Sequence, residues 1–314
     1  MNSMQKSPLF FVLLSAILYG LSIPLAKILL SEVSPVSLAG LLYLGAFVGL
    51  TLFGFFDAKN KEKNLFDRND LIWLAGVIFF GGILAPIFLM LGLSQVFASV
   101  ASLLLNLEGV ATALVASLVF REFTGKRFWF ALFCMTMAGV VLSWDNNAGT
   151  FSLSGPVYII AAMFFWGLDN NFTSKIKNMK PIEIAKTKCL VAGIVNLGLG
   201  FWLGSSLITA QLIVSAMLVG TLSYGASLIL YIYALKGWGA ARTGAFFSVA
   251  PFVGAILSVL ILGDQLSTNL LFAFMLMAIG AWLIASERHV HLHYHGAVSH
   301  VHEHYHNEIH QHEH

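Results

Sequence analysis

Phe88–Gly109 reads FLMLGLSQVFASVASLLLNLEG, and Leu230–Pro251 reads LYIYALKGWGAARTGAFFSVAP. The two stretches lie on each other without a gap, so that Leu93 falls on Leu235, Ala98 on Ala240 and Leu107 on Val249. Each contains the end of one apolar run, a short step, and the small-residue start of the next run. A passage of this kind met twice marks an internal structural repeat. The match extends outward in both directions. Upstream, Tyr19-Gly20-Leu21 corresponds to Trp166-Gly167-Leu168, and a proline opens the following run at Pro35 and at Pro181. Downstream, Arg121-Glu122-Phe123-Thr124 resembles Gly263-Asp264-Gln265-Leu266-Ser267, and Gly139 pairs with Gly280.

The repeated unit is a membrane unit. The chain is 58% hydrophobic and 10% charged, with a mean hydropathy of +0.82. A soluble globule of that composition would be covered in exposed apolar surface. A spanning helix needs roughly 20 mostly apolar residues. Ten such helices are predicted, near 8–31, 35–57, 71–92, 96–120, 127–144, 154–174, 182–204, 210–235, 240–262 and 268–286. Length and loop charge place them, because a lipid-exposed helix is apolar almost all round. The run starting at Pro8 continues without a small-residue cleavage site, and is read as a retained helix. Cys134 and Cys189 both lie inside apolar runs, so no disulfide framework is expected.

Loop charge sets the orientation. All but three of the 17 Lys and Arg residues (Lys27, Lys186 and Lys188) fall on alternate loops or at the N-terminus. The intervening loops carry acids such as Glu32, Asp145 and Asp264. By the positive-inside rule both termini are cytoplasmic, in a multi-pass protein of a bacterial inner membrane. Five helices per copy is an odd number, so the second copy is inverted relative to the first. The expected fold class is thus all-α integral membrane, ten transmembrane helices as two inverted five-helix repeats over 1–145 and 154–287. A substrate site is expected between the halves near mid-bilayer.

The aromatic-Gly pair, the proline after it, the Ala/Ser-rich starts near 98 and 240, the Glu-Gly and Ala-Pro pairs at 108–109 and 250–251, and the acid-containing turn together resemble the EamA-like drug/metabolite transporters. The resemblance covers about residues 8–286. It implies ten helices and export or exchange of a small metabolite, commonly an amino acid or related compound, without ATP hydrolysis. Gly109 stands where that family usually has proline, so a milder helix break is expected in the first half than at Pro251.

Six residues are candidates for substrate binding: Tyr19, Asn106, Glu108, Trp166, Asp169 and Asn170. Glu108 lies near the centre of its helix, where a charge costs roughly 2.5–3.5 kcal/mol. Its repeat mate is Ala250, so the shared architecture does not require the acid. The alternative role is a protonated carboxyl bonded between helices. Ser99, Ser102, Asn106, Gly109, Ala113 and Ser117 form a stripe at spacings of three and four, read mainly as close helix packing, with Asn106 its strong polar member. Trp166, Asp169, Asn170 and Thr173 share one helical face that suits an ammonium group; the alternative is a polar helix end. Lys27, Lys186 and Lys188 are read as cations snorkelling to the interface.

All 11 histidines lie in 289–314. His289, His291, His293 and His295 alternate with apolar residues, and His300, His302, His304 and His306 echo them. Neutral imidazoles in such a cytoplasmic tail, read as disordered over 288–314, suit Zn, Ni, Co or Cu. An affinity tag is normally an uninterrupted run, which this is not. No phosphate-binding loop or catalytic triad order is found, so the chain is not expected to be an enzyme, and no cofactor is required. The expected partners are a small-molecule substrate, the lipid bilayer and a second copy of the chain, with no nucleic acid. The leading expectation is a secondary exporter of a small organic metabolite working by alternating access. The alternative is a divalent transition-metal transporter using its tail for capture or sensing.

Overall fold

Proline and charge fix where the helices begin and end. The computed structural model describes residues 8–54, 68–120, 126–142, 144–145, 150–151, 153–205, 208–285, 289–295 and 298–304. Lys59, Lys61, Lys63, Arg121, Arg288 and His306, with the rest of the tail beyond 304, lie outside the described residues. In the first half, α1 (Pro8–Leu29) is followed by α2 (Pro35–Gly54). Next, α3 (Arg68–Gly76) runs through a π-helical segment (Val77–Leu84) into α4 (Ala85–Gln95). Then come α5 (Ala98–Leu104), α6 (Leu107–Phe120) and α7 (Lys126–Leu142).

The second half repeats the order. It comprises α8 (Ser154–Thr173), α9 (Pro181–Trp202), α10 (Ala210–Val219), a second π segment (Gly220–Ala226), α11 (Ser227–Trp238), α12 (Ala240–Phe247), α13 (Ala250–Leu262) and α14 (Thr268–Ala285). A two-residue ladder of β1 (Trp144–Asp145) and β2 (Thr150–Phe151) lies between the halves. Pro35 and Pro181 open α2 and α9 at the first helical turn, where a missing N–H costs nothing.

The irregularities repeat as faithfully as the helices. The register that lays Phe88 on Leu230 lays Val77–Leu84 on Val219–Ala226, and the second π segment falls there. It also lays Asn106 on Ser248, and each copy interrupts its next helix at that point, over Leu105–Asn106 and Ser248–Val249. The milder break expected at the Gly109 half is therefore corrected: α5 and α6 separate as α12 and α13 do. The physical reason is Asn106, whose Nδ2 donates to Leu103 O at 3.0 Å, so a local side-chain bond takes up a backbone carbonyl.

The halves interleave. α1 packs on α11, α13 and the second π segment, while α8 packs on α4, α6 and the first π segment. α2 lies against α9, and α7 against α14. The main apolar core accordingly draws Leu38, Leu89 and Met135 from one half and Ile159, Met163 and Met277 from the other. Close approach requires small residues at the crossings. A Cβ on Gly20 would meet Ala250 O and Gly254 N of α13; one on Gly167 would meet Ala111 and Thr112 of α6. The matched aromatic-Gly pairs therefore make matched crossings, as expected for helices packing without a hydrophobic drive in lipid. Trp202, Leu118 and Leu260 are among the large side chains on the outside, where lipid takes the place of water.

Among the described residues, six helical stretches are long and apolar enough to cross a membrane: Pro8–Leu29, Pro35–Leu52, Asp70–Gln95, Ala98–Val119, Pro181–Trp202 and Ala210–Trp238. Shorter apolar helices cover Trp129–Leu142, Ala250–Leu262 and Thr268–Leu283. The run expected at 71–92 extends over Asp70–Gln95, with the π segment continuing it through Gly81-Gly82.

Polar side chains tie helix ends to one another. Lys27 Nζ donates to Leu93 O at 2.7 Å, Val96 O at 2.8 Å and Ser94 O at 3.3 Å, capping the end of α4. Its expected role as a snorkelling cation is corrected, since the unpaired carbonyls of a helix C-terminus attract a cation more closely than bulk water does. Asp70, at the start of α3, accepts from Lys177 N at 3.3 Å and Asn178 N at 3.2 Å, just beyond α8. Asp264 Oδ2 accepts from Ser99 N at 2.7 Å, joining the turn after α13 to the start of α5.

In the tail, β3 (His289–His295) and β4 (Val298–His304) pair antiparallel.

Candidate functional site

Gly81 lies in the first π segment, whose wider turns leave carbonyls for outside donors. Tyr43 Oη donates to Gly81 O at 2.8 Å and Trp166 Nε1 donates to the same oxygen at 3.1 Å. Asn196 Nδ2 donates to Gly82 O at 3.0 Å. The missing side chain at Gly81 also makes room for an acid: a Cβ there would overlap the carboxylate of Asp169.

Asp169, on α8, is 2% exposed. Lys188 Nζ, from α9, lies 2.6 Å from its Oδ2, and Thr173 Oγ1 donates to its Oδ1 at 3.3 Å. Because lone charges inside a membrane are costly, they are found paired, and this is such a pair. The expectation that Lys188 snorkels to the interface is corrected by its partner. Lys186 pairs instead with Glu183 at 3.1 Å on the same helix.

The next residue of α8, Asn170, faces α6 and is exposed. Its Nδ2 donates to Glu108 Oε1 at 3.0 Å and to Thr112 Oγ1 at 3.1 Å. Glu108 lies in the first turn of α6, just after the helix break, and is only partly buried, and a Cβ on the neighbouring Gly109 would meet nothing within 4 Å. Open space therefore adjoins this first turn of α6, next to Glu108. Glu108 is also within electrostatic reach of Asp169, Lys188, Tyr19 and Tyr231. Rings from both halves stand alongside. The Tyr19 ring centroid is 5.9 Å from Tyr224 and 5.5 Å from Phe247; Phe247 is 5.0 Å from Tyr231, and Tyr43 is 6.4 Å from Tyr224.

Of the six candidates, Glu108, Asp169, Asn170 and Tyr19 converge on this region. Trp166 is beside it, but its polar edge is engaged by the π segment, so it positions backbone rather than offering a free donor. The single face expected for Trp166, Asp169 and Asn170 divides in two: the first two meet the π segment and the third meets α6. Asn106 spends its amide on the helix break. The packing stripe holds at Ser102, which meets Gly254, and stops at Gly109.

Sequence reasoning missed Thr112 and the pairing of Lys188 with Asp169. Lys188 had a usable signal: it lies two turns inside an apolar stretch while an unmatched acid, Asp169, lies inside another. Among the described residues, no group of three or more His, Cys, Asp or Glu side chains gathers as a metal site. Chemically, the cluster offers one carboxylate beside open space, an amide, a charge pair and a wall of aromatic rings. Such a set complements a small solute bearing an ammonium group and an apolar body.

Comparison with known proteins agrees with this architecture. A family model described as the EamA-like transporter family matches residues 6–144 and again 153–286. The chain is 28% identical over 276 residues to an uncharacterized transporter of Methanothermobacter thermautotrophicus, covering 82% of this chain and 79% of that protein. A solved structure, described only as the crystal structure of a protein, superposes with a TM-score of 0.63 at 17% identity, covering 89% of this chain and 96% of that one. That likeness concerns the fold.

Proposed function

We propose that this chain, which belongs to the EamA-like transporter family, is a secondary exporter of a small organic metabolite, an amino acid or related compound, working by alternating access. That it is a multi-pass membrane transporter follows from the family. The substrate class rests on the cluster just described, and above all on Glu108, a carboxylate at a helix break with open space beside it and Asn170 holding it.

The inverted arrangement of the two halves is part of the same reading, with five crossings in each. It is supported by two contacts to one continuous rod, α3 through α4. The last turn of α1 meets the end of that rod through Lys27, whereas the residues just after α8 meet its start through Asp70. The corresponding helices of the two repeats thus run in opposite senses beside it. Broken helices at the interface of inverted repeats are where transporters of this kind hold their solutes.

In the mechanism we infer, the ammonium of the solute binds Glu108 and Asn170 while its apolar part lies against Tyr19, Tyr231 and Phe247. The Asp169–Lys188 pair stays internally neutralised and holds α8 to α9. Rocking of the interleaved halves then exposes the cluster first to one side of the membrane and afterwards to the other.

The test uses cells expressing the intact chain under amino-acid overload, with amino compounds measured inside and outside. The expected result is faster external accumulation of at least one amino compound than in cells lacking the protein. Glu108→Gln is expected to reduce that rate at least tenfold at unchanged protein level. If Glu108→Gln and Asp169→Asn both leave export unchanged, the site is wrong; if no amino compound is exported, the substrate class is wrong.

A further inference from the structure

The exporter reading places the solute's ammonium at Glu108 and leaves Lys188 as a brace between α8 and α9, but bracing does not exhaust the lysine. A lysine ammonium carries three donors. Among the described residues only Asp169 Oδ2, at 2.6 Å, accepts from Lys188 Nζ. The two partners also differ in access: 3% of the Asp169 side chain is exposed, against 20% of that of Lys188. The pair therefore presents its base and hides its acid.

That base stands next to the solute's acid. Glu108 is held at 3.0 Å by Asn170, and Lys188 is held by Asp169, the residue before it on α8. Consecutive residues have Cα atoms about 3.8 Å apart, so a carboxylate and an ammonium from two other helices are anchored side by side on this one. They are within electrostatic reach of each other. Three of the 17 Lys and Arg residues lie outside the loops and the N-terminus. Of these, Lys27 spends its ammonium on three carbonyls at the end of α4 and Lys186 pairs with Glu183. Lys188 is the one with donors to spare, and it is the one beside Glu108.

We propose that Lys188 is the carboxylate-binding residue of this site, so that the solute is a zwitterionic amino acid with its ammonium on Glu108 and its carboxylate on Lys188. With the exporter reading as its premise, this role narrows the solute from amino compounds in general to those that carry a carboxylate beside the amine. A charge inside the membrane is tolerated when it is paired, and a zwitterion brings two. An amino acid bears both on one carbon, a spacing suited to two side chains anchored on consecutive residues. The bound state is then an alternating row: Asp169 carboxylate, Lys188 ammonium, solute carboxylate, solute ammonium, Glu108 carboxylate. Every charge has an opposite neighbour. Lys188 keeps its bond to Asp169 and gives a second donor to the solute. A simple amine satisfies Glu108 and leaves that donor idle, whereas a simple carboxylic acid meets Glu108 and Asp169 as like charges.

The experiment measures, by calorimetry on the detergent-solubilised full chain, the affinities of the common L-amino acids and of their carboxamides. Each amide keeps the ammonium and the side chain and replaces the carboxylate with a neutral group. For the amino acid that binds most tightly, the acid is expected to bind at least tenfold more tightly than its amide. The Asp169→Asn/Lys188→Met double variant, which strands no charge, is expected to bring that ratio below twofold. Because the ratio is taken within one protein, a loss of packing or of folded material moves both affinities together, and a purely structural role for Lys188 leaves the ratio where it was. A parent ratio below threefold, or a double-variant ratio within threefold of the parent's, overturns the role of Lys188 and leaves the exporter reading intact. If neither acids nor amides bind at millimolar concentration, the exporter reading itself fails and the role of Lys188 falls with it.

Discussion

Replacing Asp169 or Lys188 alone is expected to destabilise the protein more than replacing both. The two groups meet at 2.6 Å, with side-chain exposures of 3% for Asp169 and 20% for Lys188. Removing one partner of a buried pair strands the other, at about 3–5 kcal/mol. Lys188→Met strands the more deeply buried group and belongs near the upper end, about 5 kcal/mol. Asp169→Asn strands a longer chain that retains some exposure, and belongs near about 3 kcal/mol. The Asp169→Asn/Lys188→Met double variant leaves no charge behind and keeps much of the packing, so it is expected to be more stable than either single variant, within about 2 kcal/mol of the parent. The measurement is a four-member unfolding cycle in mixed micelles with increasing SDS, followed by tryptophan fluorescence. If the double variant loses the sum of the two single losses, or if each single variant loses less than about 1 kcal/mol, the pair does not hold α8 to α9 and the reasoning fails.

Three further outcomes follow from the same contacts. Gly81→Ala places a methyl where the Asp169 carboxylate sits, and is expected to cost about 1–3 kcal/mol in the same titration; a neutral result would show that the π segment yields. Lys27→Met removes the donor to three carbonyls at the end of α4. Charged hydrogen bonds contribute about 1.5–3 kcal/mol, and partial exposure of the lysine puts the expected loss near the lower figure, read as a lowered midpoint and faster proteolysis near Gln95. Trp166→Phe keeps the ring packing and removes only the bond to Gly81 O, which Tyr43 still occupies. About 0.5–1 kcal/mol is expected with export preserved, and loss of export would make Trp166 a solute contact after all.

Much of the fold was legible because its signals are additive along the chain. Apolar length, proline at helix starts and the placement of Lys and Arg each marked the same boundaries, and the gapless match of Phe88–Gly109 to Leu230–Pro251 carried over into matched helix breaks. The π segments were not legible: eight residues of VIFFGGIL read as uninterrupted helix, since π and α turns differ in which carbonyl is bonded and not in composition. The site was half legible for a similar reason. Glu108 and Asp169 were conspicuous as charges in apolar surroundings, and each proved to be held by a partner. The partners themselves, Lys188 and Asn170, depend on which helices face each other, and no spacing along one helix encodes that. Helical periodicity grouped Trp166 with Asn170, yet the interleaving of the halves gives α8 two different neighbours, so adjacent residues on one helix serve different contacts.

The two copies share their architecture but not their charges. Carrying the match of Tyr19 to Trp166 and of Pro35 to Pro181 along the helices places Ser22 opposite Asp169 and Leu42 opposite Lys188, while Ala250 stands opposite Glu108. The second-half break forms beside Ala250 as readily as the first-half break forms beside Glu108, and α1 crosses α13 as closely as α8 crosses α6. The helices, breaks and crossings thus form with or without ionisable groups at these positions. Each charge in the span nevertheless costs roughly 2.5–3.5 kcal/mol to insert. The Asp169–Lys188 pair recovers that cost by mutual neutralisation and holds two helices together. Glu108 is held by the Asn170 amide, while the nearby Lys188 is bonded to Asp169, which leaves the Glu108 charge less directly compensated than those of the pair. An incompletely compensated carboxylate next to unfilled space attracts a cation more strongly than a neutral solute, and this asymmetry is the physical ground for locating an ammonium-bearing solute at Glu108 and nowhere in the mirrored half.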